Sequence, residues 1–332
     1  MAEKVRIGFI GAGRHATRIL YPSLRLTDLD LVATAALVEE EAAQAARTFG
    51  AVRHHVGHEE LLEQAGDLDA CVVAVGPPAY RETISAVLDA GLPVWAEKPA
   101  AASAAEAGEL AGRSREQALA VCVGFMKRFA PAYELARGAM EEQEFGKPSF
   151  FAGKFAMGGG LYPDDYTFLV DNSVHMVDLM RHFMGDVEAL SVERAEGSEG
   201  RVAYAVLVRF AAGGVGTLHL STMQSWRAHN ERVEITGEGR AVVVDNVVHF
   251  RLHAAEGPGR SWEPNLTVPS DANQTLSLTG YARELQHFAE VVRDGVSPRA
   301  TIEDAQRALE LIDEIYVAGG GTLDPGRRAG EW

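Results

Sequence analysis

The stretch Val5-Arg6-Ile7-Gly8-Phe9-Ile10-Gly11-Ala12-Gly13-Arg14-His15-Ala16 decides the fold. Its first six residues, mostly apolar, read as a buried strand, and the turn that follows fits G-x-G-x-x-G/A at the point where a helical pattern opens. Gly11 permits the tight turn and Gly13 lets the backbone approach a pyrophosphate. Small Ala16 allows close helix-strand packing, and Arg14 and His15 complete a loop whose helix N-terminus faces negative charge. The reading is a dinucleotide cradle; the bland alternative is a plain strand-helix turn.

Working outward, short apolar runs at Val5 to Ile10, Leu31 to Ala36, Ala70 to Val75, Pro93 to Ala96 and Ala118 to Val123 alternate with helical segments. Those segments are Ala16 to Arg25, Glu39 to Phe49, Glu59 to Ala65, Tyr80 to Ala90 and Ala104 to Arg115. Strands alternating with helices predict an α/β, doubly wound parallel sheet over residues 1–123. After Gly124 the pattern changes to an amphipathic helix, Pro131 to Glu142, then runs such as Ala203 to Phe210 and Gly216 to Thr222 that favour antiparallel strands, with turns at Gly213-Gly214 and Gly237-Glu238-Gly239. Helices at Tyr281 to Arg293 and Ile302 to Val317 follow, before an irregular tail. Residues 124–332 are therefore expected to form a second, α+β domain with a large open sheet.

An acidic residue commonly closes the second strand of such a fold, binding the adenosine ribose and disfavouring a 2'-phosphate. Counting back from Phe49-Gly50, that position holds Ala36, with Glu39, Glu40 and Glu41 already opening the next helix. Two readings stand: NADP, with Arg14 as a contact for its phosphate, or NAD held through other groups.

The net charge of -16, from 31 Lys and Arg against 47 Asp and Glu, repels phosphate backbones and anionic lipid, so nucleic acid and membrane are not expected partners. Cys71 and Cys122 each lie in an apolar run and are expected to be reduced, structural thiols, which fits the cytoplasm. No secretory leader and no apolar stretch approaching a membrane span is read in the chain.

Three residues far apart in sequence carry the expected chemistry: Lys98 in Glu97-Lys98-Pro99, and Asp171 and His175 in Asp171-Asn172-Ser173-Val174-His175. Lys98 follows the carboxyl end of a parallel strand, where ligands bind in open α/β sheets, and a cis bond before Pro99 would aim it into the cleft. Glu97 is placed to reach a cofactor ribose hydroxyl, and Lys98 is expected to touch the cofactor as well as the substrate. His175, Asp178 and His182 recur at i, i+3 and i+7 and share a helix face, with Asp171 at or just before the N-cap. Such a stripe is ordinarily a solvated face; with Lys98 and the Gly11 loop it reads as a site, in which Asp178 orients His175 or its neighbours and His182 is structural. Lysine and histidine can share a hydroxyl proton while a carboxylate fixes the alcohol. No Cys/His cluster suggests zinc, and no metal is expected.

Four motifs in order resemble the glucose-fructose oxidoreductase and inositol dehydrogenase (Gfo/Idh/MocA) family over nearly the whole chain. They are the Gly11 loop, Glu97-Lys98-Pro99, Gly124-Phe125-Met126-Lys127-Arg128-Phe129, and Asp171-x-Ser173-x-His175-x-x-Asp178 before Phe183-Met184-Gly185; Tyr281-x-x-Glu284-Leu285-x-x-Phe288 is similar to the family's closing helix. The resemblance implies a Rossmann domain, a C-terminal domain whose sheet carries a substrate pocket on one side and often a subunit interface on the other, and catalytic positions at Lys98, Asp171 and His175. The chain departs from the family at Ala36 and at Gly76-Pro77-Pro78-Ala79-Tyr80, where a Thr-Pro-x-x-His stretch is common, so cofactor contacts near Gly76 and Pro77 are made differently.

The expected activity is reversible oxidation of a secondary alcohol on a sugar, sugar derivative or inositol, with NAD or NADP, by a homodimer or homotetramer. His175 takes the hydroxyl proton, Lys98 polarises the oxygen and Asp171 holds an adjacent hydroxyl. Tyr162, in the loop Gly158 to Tyr166, and Trp226, near Arg227 and His229, are the further substrate contacts expected; Lys127 and Arg128 are read as structural. The alternatives are a redox-neutral glycoside cleavage or epimerisation through transient oxidation, and a non-enzymatic dinucleotide or sugar sensor.

Overall fold

A computed structural model describes residues 3–158, 162–224, 228–254 and 259–323. The chain divides into two compact units, and neither is one continuous stretch. Among the described residues, the first holds 3–126 and 274–307, and the second holds those between 127 and 273 and 308–323.

In the first unit, β1 (Val5–Ile10), β2 (Leu29–Ala36), β3 (Arg53–Val56), β4 (Ala70–Val73), β5 (Val94–Ala96) and β6 (Val121–Val123) form a sheet in the order β3-β2-β1-β4-β5-β6. Every adjacent pair is parallel. The order reverses between β1 and β4, the switch point at whose carboxyl ends ligands bind. β3, Arg-His-His-Val, was not anticipated: it is a polar edge strand recruited by backbone pairing to β2, with no apolar run to announce it. The first helix also differs from the single segment expected, being a π-helical turn at Ala16–Leu20 followed by Tyr21–Leu24. Pro22 has no amide hydrogen to continue the regular ladder there.

Tyr21 locks this corner. Its ring stacks between Phe9 and Phe49, with centroids 3.9 and 4.7 Å away, and its hydroxyl donates to the Gly11 carbonyl at 3.1 Å. Burial pushes the phenol up, so it stays a donor. The helix Tyr281–Asp294 completes the same core: Leu285, Phe288, Ala289 and Val291 cluster with Val5, Ile7, Phe9, Trp95 and Cys122.

The second unit is built on eight strands, β7 (Phe150–Gly158), β8 (Val187–Glu196), β9 (Val202–Phe210), β10 (Val215–Gln224), β11 (Asn230–Thr236), β12 (Arg240–Asp245), β13 (His249–Ala254) and β14 (Arg260–Trp262). Their order is β14-β13-β12-β11-β7-β10-β9-β8, with only β7 and β10 parallel, the mixed and mostly antiparallel sheet expected. The helix Val174–Met184 packs on β7, and Val174, Met176, Val177 and Leu179 are buried. No helix among the described residues is long and apolar enough to cross a membrane.

Candidate active site

In the first unit the Gly11 loop stands at the switch point. Gly11 has φ +117°, and a Cβ there would lie 2.1 Å from the Ala74 carbonyl oxygen, so only glycine lets the loop pass so close to the end of β4. Gly13 faces open space, and its carbonyl accepts from the Thr17 amide at 3.0 Å. The loop borders a cavity of about 500 Å³ whose walls include Gly11, Gly13, Ala36, Gly76 and Thr83. The tight loop and the open space before Gly13 fit a pyrophosphate lying across them.

The other residues expected around a cofactor do not line this cavity. Arg14 and His15 are exposed, Ala16 is buried against the sheet, and Pro77 opens a short helical turn. His15 Nε2 is 3.8 Å from Glu97 Oε2. Glu97 is buried and Lys98 half-buried, just past the carboxyl end of β5, and the Lys98-Pro99 bond is cis, as expected. Tyr80 is buried at the head of its helix.

Tyr281 and Glu284, whose spacing in the sequence marks only a closing helix, also belong to this corner. The Tyr281 ring lies 5.7 Å from that of His15. Glu284 is fully enclosed, and neither carboxyl oxygen has a hydrogen-bond partner among the described residues. Burial, reinforced by the charge of Glu97, pushes its carboxyl well above the usual range. A raised folded-state value means that the folded form keeps a proton the unfolded chain gives up. Stability from this residue is therefore full below the ordinary carboxyl range and falls as pH rises towards the folded value, by at most about 1.4 kcal/mol per pH unit. Glu284→Gln removes the titration, so its melting temperature relative to wild type should gain more at pH 8 than at pH 5. An equal difference at both values would refute the assignment.

In the second unit, a helical run starts at Asp165, capped by the Asp164 carboxylate accepting from the Thr167 amide at 2.8 Å. It passes through a π-helical turn, Leu169–Ser173, into Val174–Met184. Asp171 is thus not at the N-cap, as expected, but inside the π turn. The Asp164 cap starts the helix about two turns earlier than the Asp171 motif suggests. π turns of this kind often occur at functional sites.

His175 is 8% exposed and Asp178 1%, so their shared face is not solvated. Asp178 accepts from Arg128 Nε at 2.9 Å and Nη2 at 2.5 Å, a two-pronged pair that fastens the helix to the segment after Met126. Lys127 pairs with Glu231 and lies 5.1 Å over the Phe155 ring. His182 is half-buried, and its carbonyl accepts from Arg137 at 2.9 Å.

Tyr162, Asn172 and Asp171 come together: Asn172 Nδ2 donates to the Tyr162 hydroxyl and, at 3.4 Å, to Asp171 Oδ2. Burial, and then the Asp171 charge, push the Tyr162 phenol up. A line of rings, Tyr162, Phe168, Phe155 and His229, continues from there at 5.7, 6.2 and 5.1 Å. Trp226 and Arg227, and Gly159 to Leu161 of the expected substrate loop, lie outside the described residues.

A doubly wound sheet with a glycine cradle at its switch point, in a chain that also builds a large mixed sheet, marks a dinucleotide-binding protein, and the family-model matches make its class an oxidoreductase. Residues 5–125 match the family model described as oxidoreductase family, NAD-binding Rossmann fold, and residues 164–319 match its C-terminal alpha/beta domain. The chain belongs to the Gfo/Idh/MocA family. It is 26% identical over 331 residues to a scyllo-inositol 2-dehydrogenase (NAD(+)) of Bacillus subtilis, covering 94% of this chain and 93% of that one. It is 31% identical over 262 residues to an inositol 2-dehydrogenase of Acidothermus cellulolyticus, covering 73% of each. A dehydrogenase crystal structure from Chromobacterium violaceum shares the fold with TM-score 0.86 and 21% identity over 96% of both chains.

Proposed function

We propose that this oxidoreductase acts on a secondary alcohol of an inositol, a sugar or a sugar derivative. The observation that carries the reading is the cradle at Gly11, in a chain that also keeps Lys98, Asp171 and His175 and resembles inositol dehydrogenases along most of its length. The dinucleotide, when bound, supplies the hydride acceptor. The rest falls to the protein's own groups. His175 Nε2 or Nδ1 accepts the hydroxyl proton. Lys98 Nζ donates to the same oxygen and stabilises it as negative charge develops, and Asp171 accepts from a neighbouring hydroxyl so that the reacting carbon is presented in one orientation. The linked Tyr162 and Asn172 add hydroxyl and amide groups suited to a polyol.

The exposed face of the second unit's sheet supports a homo-oligomer, a dimer or tetramer. Register places Leu207 opposite Thr217 and Val215 opposite Arg209, and Leu207 and Val215 remain open to solvent. Cys71 and Cys122 are free and buried, and burial pushes both thiols up to about 12, as suits inert structural thiols in a protein that we place in the cytoplasm.

The test is turnover. With NAD or NADP and a panel of inositols, aldoses and glycosides, reduced nicotinamide should accumulate with at least one polyol. If the protein binds a dinucleotide by thermal shift yet reduces it with none of the panel, net alcohol oxidation is excluded for these substrates. A redox-neutral reaction or a sensor would then take its place.

A further inference from the structure

We propose that Glu59, with Glu82 beside it and Glu41 lining the same cavity, takes over the duty of the acid missing from the end of β2, holding the adenosine ribose hydroxyls and selecting NAD over NADP. This rests on the reading that the Gly11 cavity binds a dinucleotide.

The argument begins with strand register. Ala36, the residue where the acid would stand, pairs with Val56 at the end of the neighbouring strand β3. The chain then turns through Gly57, at φ +78°, which delivers His58 and Glu59 one strand over from the vacated position. Glu60 is spent locally, its carboxylate accepting from the Val56 amide at 2.9 Å. Glu59 lines the cavity, with Oε2 3.5 Å from His58 Nδ1. Glu82 comes from the helix Tyr80–Asp89, and polar atoms of His58, Glu59 and Glu82 all lie within 4.8 Å of one another. Glu41, in the first turn of the helix after β2, also lines the cavity.

The balance of charge then decides the cofactor. Among the described residues, three carboxylates line this cavity and no lysine or arginine does; Arg14, the loop's arginine, is exposed and not part of the wall. A ribose 2'-hydroxyl can donate to a carboxylate. A 2'-phosphate brings close to two further negative charges and only acceptors, and an arginine nearby is what ordinarily accommodates it. Leu37, 88% exposed at the cavity edge, offers an apolar platform that either nucleotide would share, so the discrimination falls on the acids. Because these acids are solvent-exposed, the preference is salt-sensitive.

The experiment titrates NADH and NADPH separately into the full-length protein in EDTA and low salt, reading binding by nicotinamide fluorescence rather than turnover. NADH should bind at least about tenfold more tightly, a gap of about 1.4 kcal/mol, and the gap should narrow at about 0.5 M salt, where the Debye length falls to a few Å. Glu59→Gln with Glu82→Gln, checked for folding by thermal melt, should bring NADPH to within about threefold of NADH. Equal binding of the two by wild type overturns the proposal, as does a gap untouched by both salt and the double substitution. The salt series alone keeps the test decisive if the variant does not fold. Failure of both nucleotides to bind would instead overturn the dinucleotide reading itself.

Discussion

Lys98→Ala is expected to lower kcat by about 10²- to 10⁴-fold, the range for losing a positioned proton-transfer group, while the affinity for NADH changes by no more than a few fold. The lysine lies past the end of β5, outside the wall of the Gly11 cavity, so its removal leaves the cradle, the Tyr21 bond to Gly11 and the carboxylates around Glu59 as they are. A loss shared equally between nucleotide binding and turnover would make Lys98 a cofactor contact rather than a group acting on the substrate oxygen. Steady-state kinetics on a substrate found in the panel, beside an NADH titration, separates the two. Full activity in Lys98→Ala would remove it from the mechanism.

Asp178→Ala should destabilise the second unit by about 3–5 kcal/mol, the usual consequence of leaving a buried charge without its partner. The Arg128 and Asp178 side chains are 5% and 2% exposed, so neither charge can turn to water once the other is gone. The double change Arg128→Met with Asp178→Leu should recover most of the loss, since well-packed apolar pairs commonly replace buried ion pairs at little cost. Urea midpoints of the three proteins measure this. If the single variant unfolds with the wild-type midpoint, the pair does not hold the helix.

Much of this architecture was legible because its signals are local. The Gly11 loop followed an apolar run, and the helices Glu39–Phe49 and Tyr281–Asp294 carried their own stripes and glycine stops. β3 escaped notice because an edge strand of Arg-His-His-Val is held by β2's backbone, not by burial. The pairs Arg128 with Asp178 and Lys127 with Glu231 join residues 50 and 104 positions apart, and charge alone does not name its partner. The helix start differs from the Asp171 motif by about two turns because Asp164, an equally good cap, lies upstream. A stripe also shows that a helix is amphipathic without showing which core it seals. Glu284 was accordingly read as part of a closing helix and not as a carboxyl enclosed beside Glu97.

That closing helix sets a condition on biosynthesis. Leu285, Phe288 and Ala289 cover apolar side chains of β1, β5 and β6, yet they are translated long after those strands have left the ribosome. At ordinary elongation rates the interval is on the order of ten seconds. Throughout it a nascent parallel sheet shows an unsealed greasy face, which makes the growing chain a natural client for a chaperone and a shortened gene ending near residue 126 a poor source of the nucleotide-binding half.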